Sequence, residues 1–173
     1  MKNFAVTCAV ALALVVPGVA QAANPDGNHV FTGSVQVKKN LSSWTTCTLT
    51  LTVNVAGGVA KVSGASLAGA YPCTSITFSG LPASVTTSGT PVNQVTVNAI
   101  KTNIPPVLIF PSDACLGNLT ASWAGNTGAT RTIVLSDPLS DTPDTNPDNP
   151  GATENNCKIV GAVVQTAAPL LNL

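Results

Sequence analysis

The chain has 173 residues, of which 45% are hydrophobic and only 8% charged, with seven basic and seven acidic side chains and a formal net charge of zero. Ordinary globular chains carry about 25% charged residues, so solvation here falls to Thr, Ser and Asn. No basic excess is present to neutralise phosphates, which argues against nucleic acid as a partner.

The N-terminus reads Met1-Lys2-Asn3, then an apolar run over 4–16, then Pro17-Gly18 and Val19-Ala20-Gln21-Ala22. A charged start, a short apolar segment and a small-x-small site are the order of a cleaved secretory signal. The cut is expected after Ala22. The run falls short of the roughly 20 apolar residues of a membrane helix, and no later stretch reaches that length. No transmembrane anchor is expected, and the product is placed outside the cell or on its surface, reached through the periplasm. The remainder, 23–173, suits one domain, since about 150 residues can bury a real core.

Cys8 leaves with the signal, and Cys47, Cys73, Cys115 and Cys157 stay. An even count in an oxidising compartment points to two disulfides. Three pairings are open, and the sequential one, Cys47–Cys73 with Cys115–Cys157, is favoured. In the chain-entropy picture these loops contribute about 3.5 and about 4 kcal/mol. No CxxC pair or Cys/His cluster offers a metal site.

Taken in chain order, the elements read as strands. The first spans 30–37. The second, 47–55, alternates apolar odd positions with polar even ones, so Cys47 lies on the core face. Gly57-Gly58 then signals a hairpin. Its register sets Val55 opposite Ala60, Asn54 opposite Lys61, Val53 opposite Val62, Thr52 opposite Ser63 and Leu51 opposite Gly64. Further strands are expected at 74–79, 95–101, 107–110, 118–124, 130–136 and 157–164. Turn clusters such as Gly80-Leu81-Pro82, Ser88-Gly89-Thr90-Pro91 and Pro105-Pro106 separate them. Short strands at regular spacing predict an all-β, antiparallel β-sandwich, immunoglobulin-like or pilin-like. The segment 136–156 differs. It gathers Asp137, Asp141, Asp144, Asp148 and Glu154 among four prolines and reads as an exposed acidic loop. A calcium loop is the alternative, although the EF-hand order is missing.

Chemistry is sparse. The one histidine, His29, sits near the new N-terminus, where the chain is expected to fray, and a Ser-His-Asp or Cys-His arrangement would need it. Gly64-Ala65-Ser66-Leu67-Ala68-Gly69 misses the nucleophile-elbow spacing by one residue and is followed by no helix. The cysteines read as bridges, and most acids lie on one loop. A non-enzyme without a cofactor is expected. Among the aromatics, Phe78 and Trp123 read as core residues. Trp44 and Tyr71 stand just ahead of Cys47 and Cys73, either packing over that bridge or offering an exposed contact face.

Two resemblances add to this reading. Trp44-Thr45-Thr46-Cys47-Thr48-Leu49-Thr50-Leu51, with Tyr71-Pro72-Cys73-Thr74-Ser75-Ile76-Thr77-Phe78-Ser79-Gly80-Leu81-Pro82, resembles the small secreted bacterial proteins called protein activator of alkane oxidation. The acidic insert at 136–156 is not part of the matching pattern. The resemblance implies a role in growth on hydrophobic alkanes, with adhesion or biofilm functions. The partners it implies are hydrophobic substrate, the cell surface or further copies of the chain. The second resemblance is to chaperone–usher fimbrial subunits. It rests on Phe31-Thr32-Gly33-Ser34-Val35-Gln36-Val37 followed by Cys47-Thr48-Leu49, and implies a sandwich completed by a neighbour's strand. Four cysteines and the ending Pro169-Leu170-Leu171-Asn172-Leu173 depart from that pattern.

Overall fold

The structure, a computed structural model, describes residues 24–39, 44–106, 113–125, 128–136, 138–139 and 157–173. The expected signal peptide, the strand at 107–110 and most of the acidic loop lie outside the described residues. Ten strands are present among them: β1 (Gly27–Lys39), β2 (Thr45–Ala56), β3 (Val59–Ala68), β4 (Thr77–Ser79), β5 (Ala83–Ser88), β6 (Gln94–Ile104), β7 (Asp113–Ala124), β8 (Arg131–Leu135), β9 (Pro138–Leu139) and β10 (Cys157–Gln165). A short 3-10 turn, Cys73–Ser75, precedes β4.

All pairings are antiparallel, in the order β1-β2-β3-β5-β6-β7-β8-β10, and β10 also pairs with β1. The sheet therefore closes into an eight-stranded barrel, with β4 added beside β6 and β9 beside β10. The expected sandwich is corrected here. Period-two alternation buries one face of each strand in a sandwich and in a barrel alike, so the sequence pattern does not separate them. What separates them is the pairing of β1 with β10, from Thr32–Val164 to Lys39–Cys157.

Inward positions carry the core: His29, Phe31 and Val35 on β1, and Cys47, Leu49, Leu51, Val53 and Val55 on β2. Outward positions carry hydroxyls and amides. Thr32 lies beside Thr50 and Ser34 beside Thr48 on β1 and β2, and Thr96 pairs with Thr86 and Thr120 across β5, β6 and β7. A lipid-facing barrel has the opposite alternation, apolar outside.

Closure requires close approach of β1 to β10, and glycine permits it. A Cβ on Gly161, whose φ is +143°, would lie 2.5 Å from the Ser34 carbonyl oxygen and 2.8 Å from Val35 Cα. A Cβ on Gly33 would overlap the Ala162 carbonyl.

The predicted hairpin register holds at Val55–Ala60, Asn54–Lys61 and Val53–Val62, and then slips. Thr52 faces Gly64 and Leu51 faces Ala65, because a bulge takes up Ser63. A second bulge in β6, between Val97 and Ile100, moves its buried set from Val95 and Val97 to Ile100, Thr102 and Ile104. Ala99 sits in this bulge at φ +54°, and its amide donates to Asn118 Oδ1 at 2.9 Å. β4 pairs with β6 on one side of the bulge and β5 on the other, with Gly80 crossing over it. The strand expected at 74–79 is thus shortened to β4 by the 3-10 turn, and β5 was not foreseen.

Candidate functional site

Two regions of the barrel collect side chains able to meet a ligand or surface. One end carries the start of β2 and the Cys47–Cys73 disulfide, whose Cα atoms are 5.7 Å apart. Both sulfurs are buried, and the bridge pins the 3-10 turn to β2, where the first expected pairing is found. Cys115 is buried and also disulfide-bonded. The Cys157 side chain, its expected partner, lies outside the described residues.

The two nominated contact residues flank this bridge in sequence. Trp44 is 43% exposed and Tyr71 60% exposed, so neither is sealed beneath a neighbour. The Lys38 ammonium stands 5.8 Å from the Trp44 ring centroid, a cation–π distance. The Tyr71 hydroxyl donates to the Pro106 carbonyl, which fixes the ring against the residues just after β6. An aromatic held at its polar tip while its faces stay wet is suited to lie against an apolar surface.

The opposite end is closed by residues 166–173, which cross the mouth of the barrel and bury Leu171. Three buried polar side chains hold this segment. Arg131 Nε donates to the Leu171 carbonyl at 2.7 Å and Nη2 to Asn172 Oδ1 at 2.6 Å, while Nη1 donates to the carbonyls of Gly128 and Thr130. Gln165 accepts from the Leu171 amide at 3.0 Å and donates to the Pro169 carbonyl at 2.9 Å. His29 places Nε2 2.8 Å from the Pro25 carbonyl, and its Nδ1 3.2 Å from the Gln165 amide nitrogen.

His29 is thus fully buried, not frayed as the sequence suggested. The closing segment covers it, and a position four residues after Pro25 gave no sign of that cover. Both of its ring nitrogens face backbone carbonyls and an amide. Among the described residues, no hydroxyl, thiol or carboxylate is one of its hydrogen-bond partners. Arg131 and Gln165 were not singled out from the sequence at all. A single Arg after a Gly-rich turn carries no signal of its own; two of its four partners come from Leu171 and Asn172, remote in sequence.

Between this closing segment and the barrel wall lies a cavity of about 30 Å³, lined wholly by apolar side chains. Leu51, Val53, Val97, Leu119 and Ile133 form its wall, and Leu171 and Leu173 form its floor. No group of three or more His, Cys, Asp or Glu that could hold a metal occurs among the described residues, a set that leaves out the aspartates of 140–156.

A family model described as alkane oxidation protein activator PraA/PraB-like matches residues 1–170. The chain belongs to this family. The match spans both halves of the chain, including the acidic insert. No curated protein and no solved structure matches the chain. Membership places this family member's role near alkane oxidation. No helix among its described residues is long and apolar enough to cross a membrane.

Proposed function

We propose that this protein is exported and acts without enzymatic chemistry where cells meet hydrophobic hydrocarbon, aiding alkane use by adsorption, attachment or self-association. The family match over 1–170 carries the reading. The barrel supports it. His29, Arg131 and Gln165 spend their polar atoms holding the closing segment, and Cys47, Cys73 and Cys115 are tied in disulfides, as suits an oxidising compartment. The outer wall is hydroxyl-rich and sparsely charged, with Trp44, Tyr71, Val30 and Val59 exposed on it. Such a surface has few charges to prevent association with apolar matter or with copies of itself.

The fimbrial alternative finds no support in the sheet. Every strand of the barrel takes both neighbours from its own chain, whereas strand donation needs an open edge.

The test is an in-frame deletion strain compared on a liquid n-alkane and on a soluble carbon source, with surface attachment scored beside growth. Growth should slow on alkane alone, and the protein should be found in the medium or on intact cells. Equal growth and attachment, or retention in the cytoplasm, would reject the reading.

A further inference from the structure

We infer that the barrel interior is a binding site for one aliphatic chain, with Leu173 as its gate. The inference takes its ligand class from the function proposed above and its location from the cavity.

Eight strands enclose an interior that side chains just fill, or that holds one small ligand. Here the filling is incomplete. The void of about 30 Å³ has no polar atom on its surface, so water gains nothing by entering it. Its wall is aliphatic throughout and offers dispersion contacts to methylene groups on every side. Polar groups are excluded from the lining by construction: the Arg131, Gln165 and His29 bonds are made to the closing segment.

At about 30 Å³ the void is too small for an alkane as it stands, well short of the roughly 150 Å³ of an apolar cavity that takes up benzene. The closing segment supplies the remaining space. Leu171 is held by its amide to Gln165 and by its carbonyl to Arg131. Leu173 lines the same cavity, is only partly buried, and makes none of those bonds. Its side chain swings out without breaking the hydrogen bonds at Pro169, Leu171 or Asn172.

The wall is also thinnest beside the cavity. β3 and β5 pair only at Lys61–Ser84 and Val62–Ala83. Beyond these, Ala60 and Val85 both line the cavity from strands that are no longer joined. A chain enters through this gap as Leu173 leaves.

The experiment is methyl-resolved NMR of the protein titrated with n-octane in buffer, with sodium octanoate in a parallel arm. Saturable one-to-one shifts at Val53, Val97, Leu119 and Ile133 are expected. Leu173→Ala should tighten binding severalfold, and Ala121→Leu, which fills the void from β7, should weaken it at least tenfold. Stronger binding of octane names a hydrocarbon ligand. Stronger binding of octanoate, lost in Lys61→Gln at the gap, names a fatty acid. Should Ala121→Leu fail to fold, the wild-type shift map and Leu173→Ala still decide. Shifts confined to methyls exposed on the outer wall, at Val30, Val59 and Val134, or shifts that never saturate, would overturn the site while leaving the interfacial function standing. Octane inside the barrel of a protein whose deletion strain grows normally on alkane would reject that function and keep the site.

Discussion

Arg131 is a buried cation whose partners among the described residues are three carbonyl oxygens and one amide oxygen. Burying a guanidinium is costly unless its donors are satisfied; here four bonds from a rigid fork do so. They also join two remote parts of the chain, the turn before β8 and the closing segment. Arg131→Met keeps the apolar stem and leaves the Leu171 carbonyl without its donor. A loss of about 3 kcal/mol is expected, since hydrogen bonds to charged groups are worth about 1.5–3 kcal/mol each and partial rearrangement offsets some of it. Urea denaturation with a matched m-value checks this. At the surface, Trp44→Ala with Tyr71→Ala should cost no more than about 1 kcal/mol, because both rings are part exposed and lose only the Lys38 contact and the bond to Pro106. The same pair should lower partition of the protein to a hexadecane–water interface. Unchanged partition would show that the contact surface lies elsewhere.

At the scale of the element, alternation made most strands legible. β2 reads directly from its odd apolar positions, and its first pairings with β3 follow from Gly57-Gly58. The pattern misleads where a strand changes phase. Ser63 and Ala99 each occupy a bulge, and beyond each the buried set shifts to the other parity. A rule of period two carries no term for an inserted residue. β5 escaped notice because Ala83 and Val85 are its only inward residues among Ser and Thr. The candidate site was half legible: Trp44, Tyr71 and the cysteines stand out by type, whereas the Arg131–Gln165–His29 cluster exists only through the closing segment. The glycines offer a sharp test. Gly161→Ala meets backbone atoms of Ser34 and Val35 as well as an unfavourable φ, and should cost about 3 kcal/mol or more, or prevent folding. Gly58→Ala, at φ +77° with nothing within 4 Å, should cost only about 1–2 kcal/mol. Equal thermal shifts for the two would show that β1 and β10 do not approach as described. Removing the Cys47–Cys73 bridge by double alanine substitution should cost about 3.5 kcal/mol for a separation of 26 residues, with unfolding midpoints under oxidising conditions as the measure.

For the whole molecule, the distinction between sandwich and barrel decides where a ligand can go. Two sheets packed face to face leave an interlayer filled by interdigitating side chains. A closed ring leaves an axis, and this one is plugged at one end by residues 166–173 over an apolar void. The outer wall and the axis then divide the work: hydroxyls face water while the aliphatic interior remains dry. The ring also fixes an order of assembly. Val35 is made early and its partner Gly161 late. Until β10 arrives, β1 and β8 each present a bare edge, and bare edges recruit other chains. A nascent chain is therefore stickier than the finished barrel, and it needs guarding until the last strand is threaded home.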